Sequence, residues 1–294
     1  YYNVSSLDGN LTYQAQIVPD STANDQARAF GQSFALDGNR LVVGAKEAYW
    51  NSMTYAGAAY LFDFNGSSYS QVARFSASDV SERDKFGTSV DVSGSLIVSG
   101  ARDADISGNE NSGAAYLFRL ESNGSVTELS KLTHEDPKGN DYFGAQVAIS
   151  GDIIAVAAPE DDVLVSGSNR QYAGSVTLFK IDGAGNVTRT STLNAPAPDS
   201  YVYFGTAIAL SGDLLVVGEP FRYDAFSNVG RVNLYKLSSS GTAQLIMVLK
   251  SPNPAEFGKF GHSVDLKGDR LVVGAYGEDS ETENDTGVAY LYQV

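Results

Sequence analysis

One segment of the sequence has the oxygen-bearing residues and the spacing that can bind a hard cation. Its letters DADISGNEN place oxygen-bearing side chains at alternate positions around Gly108, namely Asp103, Asp105, Ser107, Asn109 and Asn111. Alternate oxygen ligands with a central glycine converge on Ca²⁺ in known calcium loops. We therefore predict a calcium site at these residues. The alternative is a solvated turn, because Asp and Asn favour turns without any ion.

Aromatic residues of two other segments have the chemistry of a ligand-binding surface. The residues concerned are Tyr49 and Trp50, followed by Tyr201, Tyr203, Phe221 and Tyr223. Aromatic rings on loops stack on sugar rings or anchor peptides, since they combine apolar area with a polar edge. These six residues are our predicted ligand-binding set. The alternative is that the rings pack between neighbouring loops and stabilise them.

Carboxylates are frequent elsewhere, but their arrangement does not predict an enzyme. Pairs with the spacing Asp-x₄-Asp occur at Asp20/Asp25, Asp79/Asp84 and Asp136/Asp141, and two acidic clusters follow at Glu160–Asp162 and Glu278–Asp285. We predict that the pairs are hydrogen-bond acceptors that fix loops. A glycosidase would need only two well-placed carboxylates and remains the less favoured alternative. His134 and His262 are the only histidines, and no nucleophile elbow or phosphate-binding glycine loop accompanies them.

Composition excludes several classes of partner. The chain has 20 basic and 35 acidic residues, a net charge of −15, and no cysteine. Such a charge argues against nucleic acid, since no cationic surface is available to release phosphate counterions. No apolar run reaches the roughly 18 residues of a membrane helix, so we predict no membrane insertion. Composition does not indicate the oligomeric state.

The elements that position these residues come from an internal repeat. The dipeptide Phe-Gly recurs at Phe30, Phe86, Phe143, Phe204 and Phe260, each time in a segment such as FGTSVDVSG. An apolar strand such as RLVVGA follows, then a third strand such as GAAYLFDF, then a fourth such as YSQVARF. Four short strands recurring about every 57 residues are typical of a propeller blade.

The five repeat units predict a single all-β domain over residues 1–294, a five-bladed propeller of four-stranded antiparallel blades. The fifth unit stops after its third strand, and residues 11–20 match the fourth-strand pattern. We therefore predict that residues 11–20 complete the last blade, with the region of Ala15 and Ile17 paired to Val288–Leu291. Closure of this kind would leave no free sheet edge.

The repeat resembles the FG-GAP repeats of integrin α-subunit propellers, and still more the variant found in bacterial extracellular proteins. The residues that carry the resemblance are Asp84–Val90 and Gly261–Ala275, with the run Asp-x-Phe-Gly-x-Ser-Val, a tight turn and Val-Val-Gly-Ala. The resemblance implies a secreted or cell-surface binding module. Integrin calcium loops lie between strands one and two of a blade, where this chain has a tight turn, as at Ser150–Asp152. Those calcium sites therefore do not carry over by position.

The topology of a blade assigns function to one face. The turns from strand one to two and from strand three to four are short, whereas the other connections are long and varied, and loops are where scaffolds place function. We predict an extracellular binding or adhesion module that recognises a glycan or protein ligand through its long loops, with calcium as an assisting ion. The alternative is a structural subunit of a larger adhesin or filament.

Overall fold

The computed structural model describes residues 2–4, 11–13, 15–20, 26–224, 227–279 and 286–294, and every regular element among them is a β-strand. The first two, β1 (Tyr2–Val4) and β2 (Leu11–Tyr13), form an antiparallel pair. No helix long and apolar enough to cross a membrane occurs in the described part of the chain.

Each repeat unit forms one antiparallel sheet in chain order, as the alternation of apolar and polar residues predicts. The first sheet contains β3 (Phe30–Asp37), β4 (Arg40–Ala45), β5 (Ala58–Phe64) and β6 (Tyr69–Phe75), and the second contains β7 (Phe86–Ser93), β8 (Leu96–Ala101), β9 (Ala114–Leu120) and β10 (Val126–Leu132). The third sheet contains β11 (Gln146–Ser150), β12 (Ile153–Ala158), β15 (Ser175–Ile181) and β16 (Val187–Asn194), with the small hairpin of β13 (Val163–Val165) and β14 (Ser168–Arg170) inserted in its loop. The fourth contains β17 (Ala207–Ser211), β18 (Leu214–Glu219), β19 (Arg231–Leu237) and β20 (Ala243–Leu249), and the fifth contains β21 (Ser263–Lys267), β22 (Arg270–Ala275) and β23 (Val288–Gln293).

The five sheets surround a central channel, which confirms the predicted five-bladed propeller. The channel has a volume of about 1090 Å³ and is lined by the first strand of every sheet. Four hydrophobic clusters each join two consecutive sheets, from the first to the fifth. The core of this protein therefore lies between blades rather than within them.

The Phe-Gly repeat has a direct packing explanation. Phe86, Phe143, Phe204 and Phe260 are fully buried between two sheets. The backbone of each of these phenylalanines lies against a glycine that precedes the third strand of the previous blade. At Gly57, for example, a Cβ atom would approach the Phe86 carbonyl oxygen to 2.0 Å, and its φ of +89° also favours glycine. The repeat thus fixes how each blade docks on the one before it.

The junction between the fifth and first blades is more open than the others. Phe34 in β3 is 69% exposed, whereas Val90 at the same repeat position in the second blade is 6% exposed. In the described residues, β23 pairs with β22 alone and the fifth sheet has three strands. Residues 11–13 pair with 2–4, so completion of the fifth blade by residues 11–20 stays a prediction.

Residues 15–20 make two contacts that resemble contacts in the next repeat. Ile17 packs against the hydrophobic cluster of the first blade, as Phe30 also does, and in the next repeat Phe75 packs on Phe86. The backbone N–H of Asp20 donates to Gln71 Oε1 at 2.9 Å. The equivalent N–H in the next repeat, that of Ser78, donates to Glu128 at 2.8 Å.

Candidate functional site

The long loops of the blades emerge together on one side of the channel, as the topology predicts. We name this surface the long-loop face. Its described parts are the loops after each second strand, residues 46–57, 102–113, 159–174, 220–224, 227–230, 276–279 and 286–287, and the loops between blades, residues 76–85, 133–145, 195–206 and 250–262. The opposite side carries short turns such as residues 38–39 and 151–152.

Aromatic side chains from three blades form a continuous belt on the long-loop face. The rings of Tyr172 and Tyr203 are stacked with centroids 5.7 Å apart, and Tyr203 meets Phe221 edge-on at 5.1 Å. The Lys259 ammonium lies 5.5 Å from the Phe221 centroid and 4.5 Å from that of Tyr276. We name Tyr172, Tyr203, Phe221, Lys259 and Tyr276 the aromatic belt.

The belt follows from the positions of its members in the repeat. Tyr203 and Lys259 each directly precede a Phe-Gly dipeptide, and both have a left-handed backbone, with φ of 52° and 53°. That backbone is held by hydrogen bonds to the previous blade, from the Tyr203 N–H to the Tyr172 carbonyl at 3.0 Å and from the Lys259 N–H to the Asn228 carbonyl at 2.9 Å. The repeat geometry thus directs these two side chains into the neighbouring loops.

One end of the belt reaches a cavity beside the fifth blade. The ring of His262 meets Tyr276 edge-on with centroids 4.7 Å apart. Both side chains line a cavity of about 340 Å³ whose other lining residues are mostly small and apolar. Burial and the nearby Lys259 ammonium lower the pKa of His262, so this imidazole is neutral at pH 7.

The fourth and fifth blades present aromatic rings to solvent on this face. Four aromatic side chains there are more than half exposed among the described residues, namely Tyr201, Tyr223, Phe257 and Tyr276. The Tyr201 hydroxyl donates to Gln171 Oε1 at 2.7 Å and its ring packs on Tyr172 at 5.6 Å. These contacts hold the exposed Tyr201 ring in place.

The predicted aromatic set divides into two groups. Tyr201, Tyr203 and Phe221 lie together as predicted, whereas Tyr223 stands outside the belt.

Tyr49 and Trp50 lie apart from the belt, on the first blade. The Arg74 guanidinium covers the Trp50 ring at 4.4 Å and donates to the Tyr49 carbonyl oxygen. Tyr49 packs edge-on against Tyr55, with centroids 6.3 Å apart. These contacts correspond to the loop-packing alternative.

The predicted calcium loop holds its first carboxylate between two cations. The Asp103 carboxylate lies 2.5 Å from Lys85 Nζ and 3.0 Å from Arg102 Nε. Asp105 Oδ1 accepts a hydrogen bond from the Asn111 backbone N–H at 2.8 Å. A calcium ion at Asp103 would therefore compete with the Lys85 ammonium and the Arg102 guanidinium.

The other predicted ligands of this loop make contacts that fasten it to the third blade. Asn109 Nδ2 donates to the Pro137 carbonyl at 3.0 Å, and Asn111 Nδ2 donates to Asn140 Oδ1 at 3.1 Å. Ser107 lies at the tip of the loop with a φ of 55°. The calcium site stays a prediction.

In two of the Asp-x₄-Asp pairs the second carboxylate fixes its loop, as predicted. Asp84 Oδ2 accepts the Ser81 N–H at 2.7 Å, and Asp141 Oδ2 accepts the Lys138 N–H at 2.8 Å. Burial raises the pKa of Asp84 to about 6 and that of Asp141 to about 7. Asp25 lies outside the described residues.

The acidic cluster of the fifth unit is only partly described. Glu278 is fully buried, and its Oε2 accepts a hydrogen bond from the Tyr290 hydroxyl at 2.5 Å. Glu281, Glu283 and Asp285 lie outside the described residues.

Three potential metal ligands lie close together between the second and third blades. The sequence did not predict this group. One ligand atom each of His134, Asp141 and Asp161 lies within 4.8 Å of the others. All three had been noted in separate contexts. Their positions within the repeat could have predicted the group, because the repeat brings the loops that contain them to the same junction.

The sequence comparison agrees with this architecture. The FG-GAP repeat family matches residues 12–62, 69–118, 126–179, 187–235 and 248–292, which is most of the chain. The chain belongs to the FG-GAP repeat family. No curated protein sequence matches it.

Membership supports a general class of function. FG-GAP propellers are binding or structural modules, are typically extracellular, and are generally not enzymes. In this FG-GAP protein the second to fifth matches each run from the fourth strand of one sheet to the third strand of the next. The first match begins at residue 12, within the segment predicted to complete the fifth blade.

Proposed function

We propose that this protein is an exported, non-enzymatic binding module that recognises a glycan or protein ligand through its long-loop face. The observation that carries the proposal is the set of four exposed aromatic side chains, Tyr201, Tyr223, Phe257 and Tyr276, on two adjacent blades. Elsewhere in the described residues, Phe34 is the other exposed aromatic, at the open junction.

The rigidity of the rings in and beside the aromatic belt supports the proposal that this part of the long-loop face contacts the ligand. Tyr172 and Tyr203 stack with their planes 11° apart, and Tyr201 is fixed to Gln171. A ring already held in place loses little conformational entropy on binding, so more of its contact energy appears as affinity. Tyrosine offers both a ring face for stacking and a hydroxyl for hydrogen bonding.

Charge narrows the ligand class. The net charge of −15 disfavours acidic glycans and acidic peptides through repulsion. The belt carries one cation, Lys259, which is covered by Phe221 and Tyr276. We therefore propose a neutral glycan or a neutral to basic peptide segment as the ligand.

An array of glycans and peptides, followed by calorimetry on each hit, tests this proposal. Tyr201→Ala and Tyr276→Ala should each weaken binding at least several-fold, because aromatic anchors contribute on the order of 1–2 kcal/mol or more. Asn123→Ala, in a short turn of the opposite face, is the matched control and should leave affinity intact. Unchanged affinity in both tyrosine variants, or loss in the control, would place the ligand elsewhere.

Variants of Tyr223 and Trp50 distinguish an exposed ring that can contact a ligand from a ring that packs its own loop. Tyr223 is 64% exposed, so Tyr223→Ala should weaken binding with folding unchanged. Trp50 is covered by Arg74, so Trp50→Ala should instead lower the melting temperature. A binding loss in Trp50→Ala without destabilisation would extend the ligand surface to the first blade.

A second candidate function, a structural subunit that self-associates, is favoured by the outer strand of the fourth blade. Leu245, Met247 and Val248 of β20 are exposed, whereas the equivalent positions of β10 are Glu128, Ser130 and Lys131. An exposed apolar edge strand is a template for pairing with another chain. A second copy of this chain is the occupant we propose, because antiparallel edge pairing gives both copies the same contact.

Light scattering on a concentration series distinguishes this candidate. The triple variant Leu245→Glu, Met247→Ser and Val248→Lys copies the β10 residues and should convert any dimer into monomer. Leu164→Ser, another exposed apolar position, is the control and should not change the mass. A wild-type chain that stays monomeric at high concentration excludes the candidate.

A further inference from the structure

The junction between the second and third blades contains a buried imidazole beside two buried carboxylates. His134 follows β10, Asp141 lies two residues before Phe143, and Asp161 follows β12. The His134 side chain is 10% exposed, and Asp141 and Asp161 are 2% and 4% exposed. Two loops, residues 133–145 and residues 159–174, thus bring three potential metal ligands to the same shielded point.

The imidazole points an unpartnered nitrogen at the carboxylates. His134 Nε2 is buried and has no hydrogen-bond partner. Its other nitrogen, Nδ1, lies 3.1 Å from the Asp136 carbonyl oxygen, with the Asp136 N–H farther away at 3.4 Å. The tautomer with its proton on Nδ1 donates across the shorter contact, because a carbonyl only accepts, and its Nε2 lone pair can bind an ion. Metal-binding histidines are commonly oriented by this kind of contact.

The separation of the groups suits a shared ion better than a direct hydrogen bond. His134 Nε2 lies 3.6 Å from Asp161 Oδ2, which is beyond the roughly 2.7–3.2 Å of an N–H···O bond. Two ligands that each lie about 2.0–2.2 Å from a tetrahedral ion are roughly 3.3–3.6 Å apart. The observed distance falls at the upper end of that interval.

The other described junctions show that these ligands are not required by the fold. At the first-to-second junction the positions of His134 and Asp161 are held by Ala77 and Ala104, both buried. At the third-to-fourth junction the position of His134 is held by Ala195, which is also buried. Asp141 has a counterpart in Asp84, and the position of Asp161 is held in the fifth blade by Glu278, another buried carboxylate.

Two carboxylates buried side by side are unfavourable without a counter-charge. One oxygen of Asp141 and one of Asp161 lie within 4.8 Å of each other, and both residues are almost fully buried. The Lys138 ammonium contacts other groups, since its Nζ lies 3.5 Å from Asp136 and 3.4 Å from the Asp162 carbonyl oxygen. The Asp162 carboxylate accepts hydrogen bonds from Asn169 Nδ2 and from the Tyr172 N–H. A bound cation would offset the repulsion between the two buried carboxylates.

We propose that His134, Asp141 and Asp161 bind one divalent transition-metal ion of the Zn²⁺ class. A nitrogen ligand with two carboxylates matches Zn²⁺, whereas Ca²⁺ prefers oxygen ligands alone. Three protein ligands leave a fourth position for water or for a group of a bound ligand. Since His134 belongs to the second blade and Asp161 to the third, the ion would also join two blades.

Titration of the full chain with zinc tests the proposal. After treatment with EDTA and its removal, calorimetry with ZnCl₂ should give one equivalent bound, with CaCl₂ binding at least tenfold more weakly. His134→Ala and Asp161→Ala should each weaken zinc binding by tenfold or more. Both variants carry the residue found at the equivalent first-to-second position, so they should fold, as circular dichroism in EDTA would verify. Cobalt substitution gives a second readout, a tetrahedral visible spectrum that each variant should lose.

The second histidine is the matched control. His262→Ala should keep full zinc affinity, because His262 lies on the fifth blade beside Tyr276. Stoichiometric zinc binding that survives in His262→Ala and is lost in both His134→Ala and Asp161→Ala supports the site. Absence of zinc binding, its retention in either junction variant, its loss in His262→Ala, or a preference for Ca²⁺ would overturn it.

Discussion

The side-chain hydroxyl of Ser150 accepts a hydrogen bond from the backbone N–H of Gly212, 3.0 Å away in the next blade. The same bond recurs around the channel, from the N–H of Gly94 to Asp37, of Gly151 to Ser93 and of Gly268 to Ser211. At the same repeat position the fifth blade has Lys267, whose ammonium cannot accept. Four junctions therefore share this hydrogen bond between blades. The junction from the fifth to the first blade lacks the side-chain acceptor for it.

Supplying that acceptor should stabilise the ring. Lys267→Ser places a hydroxyl opposite the turn at Gly38, and a hydrogen bond of this kind contributes about 0.5–1.5 kcal/mol. We expect a higher free energy of unfolding by urea. Ser150→Ala, which removes an existing bond of this kind, should lower it by a similar amount. A Lys267→Ser variant no more stable than the wild type would show that the first and fifth blades do not approach closely there.

Ile17 should contribute to stability although it lies outside every strand. It packs against the first-blade cluster at the position equivalent to Phe75, so Ile17→Ala should cost about 1–2 kcal/mol through lost apolar burial. Val18 is 62% exposed, and Val18→Ala should stay within about 0.5 kcal/mol of the wild type. Urea unfolding measures both.

Deletion of residues 1–20 extends that test to blade completion. If these residues complete the fifth blade, the deletion should lower stability by much more than Ile17→Ala, because it also leaves the edge of β23 unpaired. Equal losses in the two proteins would limit the role of the segment to Ile17 packing. A deletion that melts like the full chain would contradict both.

The fold could be predicted from the sequence because the same packing residues recur in each of the five repeat units. Phe86 and its counterparts must be buried, and Gly57 and its counterparts must lack a side chain, so the Phe-Gly spacing alone implies blade-on-blade docking. The calcium loop illustrates the limit of such reasoning. Asp103 has ligand spacing, but the cation beside it, Lys85, lies 18 positions earlier in the sequence and reaches it only through the fold.

The candidate sites depend on contacts between loops of different blades, which spacing does not reveal. Tyr203 was predicted as a ligand residue, whereas Tyr172, which stacks on it, was not. His134 and Asp161 were noted separately, and their approach to 3.6 Å follows from how two blades dock. Side-chain types were therefore visible in the sequence, but their partners were not.

Asp91 should make the protein less stable as the pH rises from about 4 to 6. Burial raises the pKa of this channel-lining carboxyl to about 6, whereas an unfolded Asp ionises near 3.9. Between these values the folded state holds a proton that the unfolded state has lost, so stability falls as the pH increases. Asp84 and Asp141 act in the same direction.

Asp91→Asn isolates that contribution. The amide keeps an acceptor for the Ile149 N–H, which now bonds Asp91 at 2.7 Å, but it cannot ionise. Urea unfolding at pH 4, 5, 6 and 7 should show a smaller fall for the variant. Asp182→Asn is the opposite control, because hydrogen bonds from Asn186 lower the pKa of Asp182 and its removal should make the fall steeper. An unchanged profile in Asp91→Asn would contradict the assignment.

Asp103 is placed to act as a partner of two cations, and this role can be separated from the predicted calcium site. With Lys85 and Arg102 in contact, Asp103→Asn should lower stability by about 0.5–1 kcal/mol, the upper part of the range for partly exposed ion pairs. The loss should be the same in calcium and in EDTA, because it arises from the protein cations. A calcium ion at about 100 times its dissociation constant would instead add roughly 2.7 kcal/mol to the wild type. If the melting temperature rises with calcium and Asp103→Asn combined with Asp105→Asn abolishes the rise, the loop binds calcium and the ion displaces Lys85 from Asp103.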